Sequence, residues 1–163
     1  MRFLLSVILL AWITACSTSA PPATNKSAPT RSQSASQSVL ITHIAHNAAS
    51  PELMLQSMSL IGTPYRFGGS NRNTGFDCSG MVQYVYQTAI GVSLPRTARD
   101  MATAGRSISK NQLKVGDLVF FNTNGNRYSH VGLYIGENRF IHAPSSKSSI
   151  KINYLTDKYY ANR

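Results

Sequence analysis

The chain has 163 residues, of which 42% are hydrophobic and 13% charged, a balance that excludes both a disordered polyampholyte and a bundle of membrane-spanning helices. Sixteen Lys and Arg against six Asp and Glu give a net charge of +10, which in a cytosolic protein would indicate nucleic-acid binding. The only two cysteines, Cys16 and Cys78, are too few for a four-cysteine zinc site or a scaffold of several disulfides.

The N-terminus has the pattern of an export signal. Arg2 precedes an apolar run, residues 3–13, that is too short to cross a bilayer as a helix. Ile13-Thr14-Ala15-Cys16 resembles the bacterial lipobox, in which the signal is cut before a cysteine whose sulfur carries a lipid. We therefore expect a lipoprotein signal peptide at 1–15 and a lipid on Cys16, and we expect no nucleic acid among the partners of an exported protein.

A polar tether follows the lipidated cysteine. Residues 17–38 are mostly Ser, Thr, Ala, Pro, Gln and Asn without a large apolar side chain, so they cannot bury enough surface to offset the ordering of their backbone. Ser17, where inner-membrane lipoproteins carry Asp, is typical of sorting to the outer membrane. We expect residues 16–38 to tether the protein to the periplasmic face of that membrane, and residues 39–163 to form one domain.

Helices are predicted in the first half of this domain, with residues 39–44 as a possible helix of weak boundaries. Ser50 as N-cap and Pro51 at the first helical position predict a better-defined helix that ends at 62–64. Asp77 predicts the cap of a further helix that ends at Gly91. The apolar faces are predicted to be Met54, Met58 and Ile61 in one helix and Met81, Val82, Val85 and Ala89 in the other.

Short strands are predicted in the second half of the domain. Apolar runs bounded by turn residues occur at 117–121, 130–135, 139–143 and 150–154. Because the helices come first and the strands follow in succession, we expect an α+β fold in which N-terminal helices pack on an antiparallel sheet.

Cys78 has the position of a catalytic nucleophile. In the first turn of a helix capped by Asp77, unpaired backbone amides and the helix dipole favour the thiolate and can also bind an oxyanion. An unplaced cysteine is more often a small buried hydrophobe. The start of the helix, the glycine-rich approach at 68–75 and the lack of a partner for the thiol favour the catalytic interpretation.

His130 and His142 are the candidates for a base and its orienting partner, because both lie in apolar strands. His43 and His46 lie in a polar segment and are expected to be solvated. A two-residue turn at 137–138 would place the rings of His130 and His142 on opposite faces of the hairpin. A three-residue loop at 136–138, or a bulge, would bring them to the same face. Alone, two such histidines are slightly more often core residues than catalytic ones, and no third ligand has a spacing that suggests a metal site.

Six motifs together resemble those of the NlpC-type cell-wall cysteine peptidases. The resemblance implies a circularly permuted papain-like fold without cofactor or metal, which we expect to be monomeric. It implies that Cys78 is the nucleophile, His130 the base and His142 the third polar residue. Tyr65 would help to stabilise the oxyanion, and Asp77 and Ser79 would shape the substrate pocket. The motifs are Pro64-Tyr65-Arg66-Phe67-Gly68-Gly69, Phe76-Asp77-Cys78-Ser79-Gly80, Leu94-Pro95-Arg96-Thr97, residues 113–121, Ser129-His130-Val131-Gly132 and Phe140-Ile141-His142-Ala143.

The same resemblance implies an activity. Members of the family cut peptidoglycan stem peptides, commonly at the γ-D-glutamyl to diaminopimelate bond, and some cut cross-links. Family chains often continue past the equivalent of residues 159–163 with a further short strand, so we expect this C-terminus to be truncated relative to them. The alternatives are a non-catalytic wall-binding lipoprotein, and an amidase or acyltransferase on the same scaffold. Arg96 and Arg99 are expected to be solvated rather than to bind carboxylates of the stem peptide.

Overall fold

The computed structural model describes residues 46–163, so the expected signal peptide, Cys16, the tether and the possible helix at 39–44 lie outside the described residues. Among the residues described, no helix is long and apolar enough to cross a membrane. The helices are α1 (His46–Met58), α2 (Cys78–Ile90), α3 (Ala98–Ala104), a 3-10 turn (Lys110–Gln112) and α4 (Lys158–Ala161). The strands are β1 (Ser70–Asn71), β2 (Gly75–Phe76), β3 (Leu118–Phe121), β4 (His130–Gly136), β5 (Arg139–His142) and β6 (Lys151–Tyr154).

Helix α1 differs from its prediction in both its start and its buried face. It begins at His46, so Ser50 and Pro51 lie inside it, and the Ser50 hydroxyl donates to the carbonyl oxygen of Val115 at 2.7 Å. The helix ends at Met58, before the predicted end at 62–64, and of the predicted face Met54 is partly buried while Met58 and Ile61 are exposed. Apolar side chains lie on more than one side of this helix, so its sequence permits more than one buried stripe, and packing against α2 selects between them. The buried residues are Ala49, Leu53 and Ser57 in the helix and Leu60 just after it.

Helix α2 confirms its prediction at both ends. Asp77 has extended backbone angles and accepts a hydrogen bond from the backbone N–H of Gly80, as an N-cap does. Gly91 adopts the left-handed conformation, with φ of 70°, that commonly ends a helix. The predicted stripe packs in the core, since Met81, Val82 and Val85 are fully buried and Ala89 is partly buried.

The four predicted strands form one antiparallel sheet in the chain order β3-β4-β5-β6, with each boundary within about one residue of its prediction. One face of this sheet packs against α1 and α2. The other face carries a smaller cluster of Val119, Phe121, Phe140 and Tyr160. Helices α3 and α4 and the 3-10 turn, which are short, were not predicted from the sequence. The β1–β2 hairpin was not predicted either, because it lies in the glycine-rich segment 68–75.

The β4–β5 hairpin decides on which face the two strand histidines lie. Glu137 and Asn138 form a two-residue turn with φ of 52° and 57°, and Gly136 pairs with Arg139. The register then shifts between Tyr134 and Gly136, so one extra residue is inserted in β4. A two-residue turn alone would have separated the two histidines, and the bulge restores them to one face.

Candidate active site

The start of α2 is fixed against the preceding loop by its cap and by two glycines. The carboxylate of Asp77 accepts from the backbone N–H of Gly80 at 2.7 Å, and the N–H of Asp77 donates to the carbonyl oxygen of Gly69 at 3.0 Å. A Cβ atom on Gly80 would lie 2.1 Å from that carbonyl oxygen, so only glycine permits this approach. The first turn, which carries Cys78, therefore has a fixed position.

The thiol of Cys78 is partly buried where α2 meets β4. The backbone N–H groups of Val131, the residue after His130, of Ser79 and of Cys78 itself lie near its sulfur. Burial raises the pKa of the Cys78 thiol, and these amides offset the rise only in part. The expectation that the helix N-terminus favours the thiolate is therefore wrong for the resting site, because desolvation outweighs the amides. The thiol needs a base, and no disulfide occupies it.

His130 and His142 form a directly bonded pair, and His130 immediately precedes Val131, whose backbone N–H lies near the Cys78 sulfur. Nε2 of His130 and Nδ1 of His142 are 2.7 Å apart, and the two rings meet edge to face. The side chains are 4% and 0% exposed. Burial lowers the pKa of His130 to about 3, with a further contribution from His142, and burial lowers the pKa of His142 to about 4. Both imidazoles are therefore neutral at pH 7, as a general base must be before it acts.

The sheet provides the space that this pair of rings requires. Gly132 lies between His130 and the turn on the same strand, and a Cβ there would approach a ring carbon of Phe140 to 2.6 Å and the Cβ of His142 to 3.3 Å. The Phe140 ring packs against the His142 ring with centroids 4.7 Å apart, and Tyr160 meets His142 edge to face at 5.3 Å. The orientation of His142 is thus fixed by packing on both sides.

Two residues that the sequence analysis missed continue the chain of hydrogen bonds. Nε2 of His142 lies 2.9 Å from Oδ1 of Asn153, and Nδ2 of Asn153 donates to Oδ2 of Asp157 at 2.8 Å. The backbone N–H of Tyr154 donates to the same carboxylate oxygen at 3.0 Å. The hydrogen bond from Asn153, followed by that from Tyr154, holds the pKa of Asp157 below its ordinary value. No motif marked either residue, because the contacts form only when β6 pairs with β5.

Asp77 and Ser79, predicted to shape the substrate pocket, are both buried and bonded to Arg96. The guanidinium donates to both carboxylate oxygens of Asp77, at 3.1 and 2.6 Å, and to the hydroxyl of Ser79 at 2.8 Å. Asp77 also accepts from the backbone N–H of Gly68 at 3.0 Å. Arg96 is solvated as expected, with 43% of its side chain exposed, and it also closes a network that ties the loop to the start of α2.

Tyr65 lies close to the same network. Burial raises the pKa of the Tyr65 hydroxyl, the negative charges of Cys78 and Asp77 raise it further, and the positive charge of Arg96 opposes them. The hydroxyl is therefore a proton donor at neutral pH, close to the nucleophile. The structure thus brings Tyr65, Asp77 and Ser79 together around Cys78, and it pairs His130 with His142. The two groups adjoin at Val131, the residue after His130, whose backbone N–H lies near the Cys78 sulfur.

A metal centre has no support in the part of the chain described here, where no three His, Cys, Asp or Glu side chains are grouped so that they could hold an ion. The arrangement at Cys78 instead has the components of acyl transfer, which are a thiol, a neutral imidazole pair and backbone N–H groups beside the sulfur.

Comparisons with known proteins agree with this chemistry. Gamma-DL-glutamyl hydrolase of Bacillus subtilis is 45% identical over 104 residues, which cover 63% of this chain and 25% of that protein. Murein DD-endopeptidase MepH of Escherichia coli is 42% identical over 123 residues, which cover 71% of this chain and 45% of the relative. The chain thus spans less than half the length of either relative.

Solved structures of the same kind superpose on the described fold. A protein of Staphylococcus aureus described as similar to lipoprotein, NLP/P60 family, has a TM-score of 0.65 at 37% identity, over 71% of this chain and 39% of that one. The NlpC/p60 domain of the peptidoglycan hydrolase SagA has a TM-score of 0.59 at 36% identity, over 65% and 89% respectively. The NlpC/P60 family model matches residues 62–163. The resemblance drawn from the motifs is confirmed, and the chain belongs to the NlpC/P60 family, with its α+β papain-like fold.

Proposed function

We propose that this protein is a cysteine endopeptidase of peptidoglycan that hydrolyses an amide bond of a stem peptide or a cross-link, commonly the γ-D-glutamyl to diaminopimelate bond. The observation that carries the proposal is the pair of neutral, bonded histidines that adjoins Val131, whose backbone N–H lies near a partly buried thiol at a helix N-terminus. A binding module has no need of this arrangement. The relatives, a glutamyl hydrolase and a murein endopeptidase, have activities of the same class.

The proposed reaction has two stages. His130 takes the proton of the Cys78 thiol as the sulfur attacks the scissile carbonyl carbon, and the backbone N–H groups beside the sulfur, together with Tyr65, stabilise the resulting oxyanion. The protonated His130 then gives its proton to the leaving amine, and the C–N bond breaks to leave a thioester. Water, deprotonated by His130, attacks the thioester, which releases the carboxylate product and restores the thiol.

Asp77 and Ser79 are proposed to border the substrate pocket from within their network with Arg96. Because both side chains are already bonded, they can present a fixed polar surface without rearrangement when substrate arrives. The proposed location is the periplasmic face of the outer membrane, with the lipid on Cys16 as anchor. A monomer suffices for this chemistry, because the described part of one chain carries every group that the reaction uses.

The deciding experiment is incubation of the purified chain with defined muropeptides, followed by mass spectrometry of the products. Cleavage within the stem or at a cross-link supports an endopeptidase, and the fragment masses identify the bond. Binding without cleavage would favour the non-catalytic alternative, and release of the whole stem or transfer to an added amine would indicate an amidase or an acyltransferase.

Variants at the three central residues test the assigned roles. Cys78→Ala should abolish turnover while the fold is retained, because alanine removes one sulfur and favours the helix. His130→Ala should be nearly as damaging, whereas His142→Ala should cost less and His142→Gln or His142→Asn should recover part of the activity. Circular dichroism of each variant separates loss of chemistry from loss of fold. Cleavage by Cys78→Ala at the wild-type rate would contradict the mechanism.

A further inference from the structure

In the chain of hydrogen bonds beyond His142, Asp157 at the far end determines which group donates and which accepts. Asp157 is acidic and ordinarily ionised at neutral pH, so its carboxylate can only accept hydrogen bonds. Oδ2 of Asp157 accepts one hydrogen bond from Nδ2 of Asn153 at 2.8 Å and another from the backbone N–H of Tyr154 at 3.0 Å. The amide of Asn153 therefore has one orientation, in which its NH₂ group faces Asp157 and its oxygen faces His142.

This orientation fixes the proton on His142. Oδ1 of Asn153 can only accept, and it lies 2.9 Å from Nε2 of His142, so that nitrogen carries the proton. In a neutral ring the other nitrogen, Nδ1, is then the acceptor. Nδ1 of His142 lies 2.7 Å from Nε2 of His130, which must in turn be the donor. The remaining nitrogen of His130, Nδ1, keeps its lone pair.

We propose that Asn153 and Asp157 are positioning residues that set the tautomers of His142 and His130, so that His130 keeps Nδ1 unprotonated and able to accept the proton of Cys78. Neither residue touches the reacting atoms, and Asp157 acts only through Asn153. The catalytic consequence rests on the proposed function, but the assignment of the tautomers does not. The opposite set of tautomers would place a proton on Nδ1 of His130 and leave it unable to act as a base.

A merely structural role predicts a different outcome. Asp157 lies directly before α4, and Asn153 lies in β6, so their bond could simply join the end of the sheet to this helix. In that case its loss would lower stability without moving a proton between ring nitrogens. The substitution Asp157→Ala separates the two roles, because it removes the acceptor that fixes Nδ2 of Asn153, whereas an asparagine would keep its amide oxygen on the N–H of Tyr154 and still accept from Asn153.

The test is ¹⁵N NMR of the full chain in detergent, labelled at histidine, at pH 7.5. In the wild type, His130 and His142 should both show a protonated Nε2 and an unprotonated Nδ1, with His142→Gln used for assignment. Asp157→Ala and Asn153→Ala should each give a mixture of tautomers. Glu137→Gln is the matched control, because it removes the same charge at an 80% exposed side chain in the hairpin turn, and it should leave both rings unchanged.

Kinetics on muropeptides complete the test. Asn153→Ala should lower kcat roughly 10- to 100-fold, the range for lost outer partners of a functional histidine, while KM and the melting temperature change little. Asp157→Ala should lower kcat less, and Glu137→Gln should not lower it. Protonated Nδ1 on either wild-type ring, or unchanged tautomers in folded Asp157→Ala, would overturn the inference. If Asn153→Ala does not fold, the wild-type and Asp157→Ala spectra decide. Absence of hydrolysis by the wild type would refute the proposed function and leave the tautomer result standing.

Discussion

The buried histidine pair makes the stability of this domain depend steeply on pH. The pKa of His130 is about 3 and that of His142 about 4 in the folded protein, against 6.5 for an ordinary histidine. The unfolded chain therefore binds protons at these residues that the folded domain does not bind. Stability is complete above about pH 6.5 and is lost as the pH falls from there towards the folded values.

The size of this effect follows from the number of protons. Each histidine contributes up to about 1.4 kcal/mol per pH unit, so the pair contributes up to about 2.7 kcal/mol per unit between pH 6 and 4.5. From pH 7 to 4.5 the loss is about 5 kcal/mol, which is comparable to the whole stability of a small domain. The domain should unfold in mild acid, at a pH where most carboxylates are still ionised.

Urea titrations followed by circular dichroism, at half-unit steps from pH 7.5 to 4.5, measure this slope. His142→Gln is the control, because it removes one of the two titrating rings and keeps a side chain that can accept from His130. Its free energy of unfolding should fall with about half the wild-type slope over the same range. Equal slopes in the two proteins would refute the assignment of neutral buried histidines, and so would a wild-type slope below about 1 kcal/mol per unit.

Three further outcomes are expected. The alkylation rate of Cys78 should rise with pH around a midpoint above the free-cysteine value of about 8.5, because burial raises the pKa of the thiol. A midpoint well below that value would mean a preformed ion pair with His130. Gly80→Ala should destabilise the domain by about 1–3 kcal/mol in thermal or urea unfolding, because the added Cβ would clash with the carbonyl oxygen of Gly69. The better helix propensity of alanine does not offset this clash. Unchanged stability would show that the loop moves away without a loss of free energy. Cys16→Ser should leave the outer-membrane fraction after a high-salt wash, as a soluble periplasmic form or an unprocessed precursor, because the wash removes electrostatic binding by the positive net charge. Retention of that variant in the washed outer membrane would contradict the lipid anchor.

Features whose causes lie within a few residues were predictable. Helix α2 begins and ends where its sequence indicates, because its N-cap and its left-handed C-terminal glycine act on neighbouring backbone groups. The strands were predicted within about one residue, since alternation and turn residues are local as well. The motifs around Cys78 were enough to identify the family, because each lies in one short segment.

The placement of α1 was not predictable in the same way. Its sequence has apolar side chains on more than one face, and Ser50 followed by Pro51 resembles a helix start. Only the contact with α2 and the bond from Ser50 to Val115 determine which face is buried. Local preferences of about 1 kcal/mol yield to such packing.

The sequence by itself was enough to select Cys78 and the two histidines as candidates and to give the order of the main elements, because these follow from residue type, caps and periodicity. The tertiary structure decided whether the histidines meet, since one inserted residue between Tyr134 and Gly136 sets the face of every side chain beyond it. It also decided the partners of Arg96 and His142, which are 19 and 11 residues away along the chain. Side-chain hydrogen bonds of this kind depend on the pairing of strands and the packing of a loop on a helix, so short-range sequence patterns do not predict them.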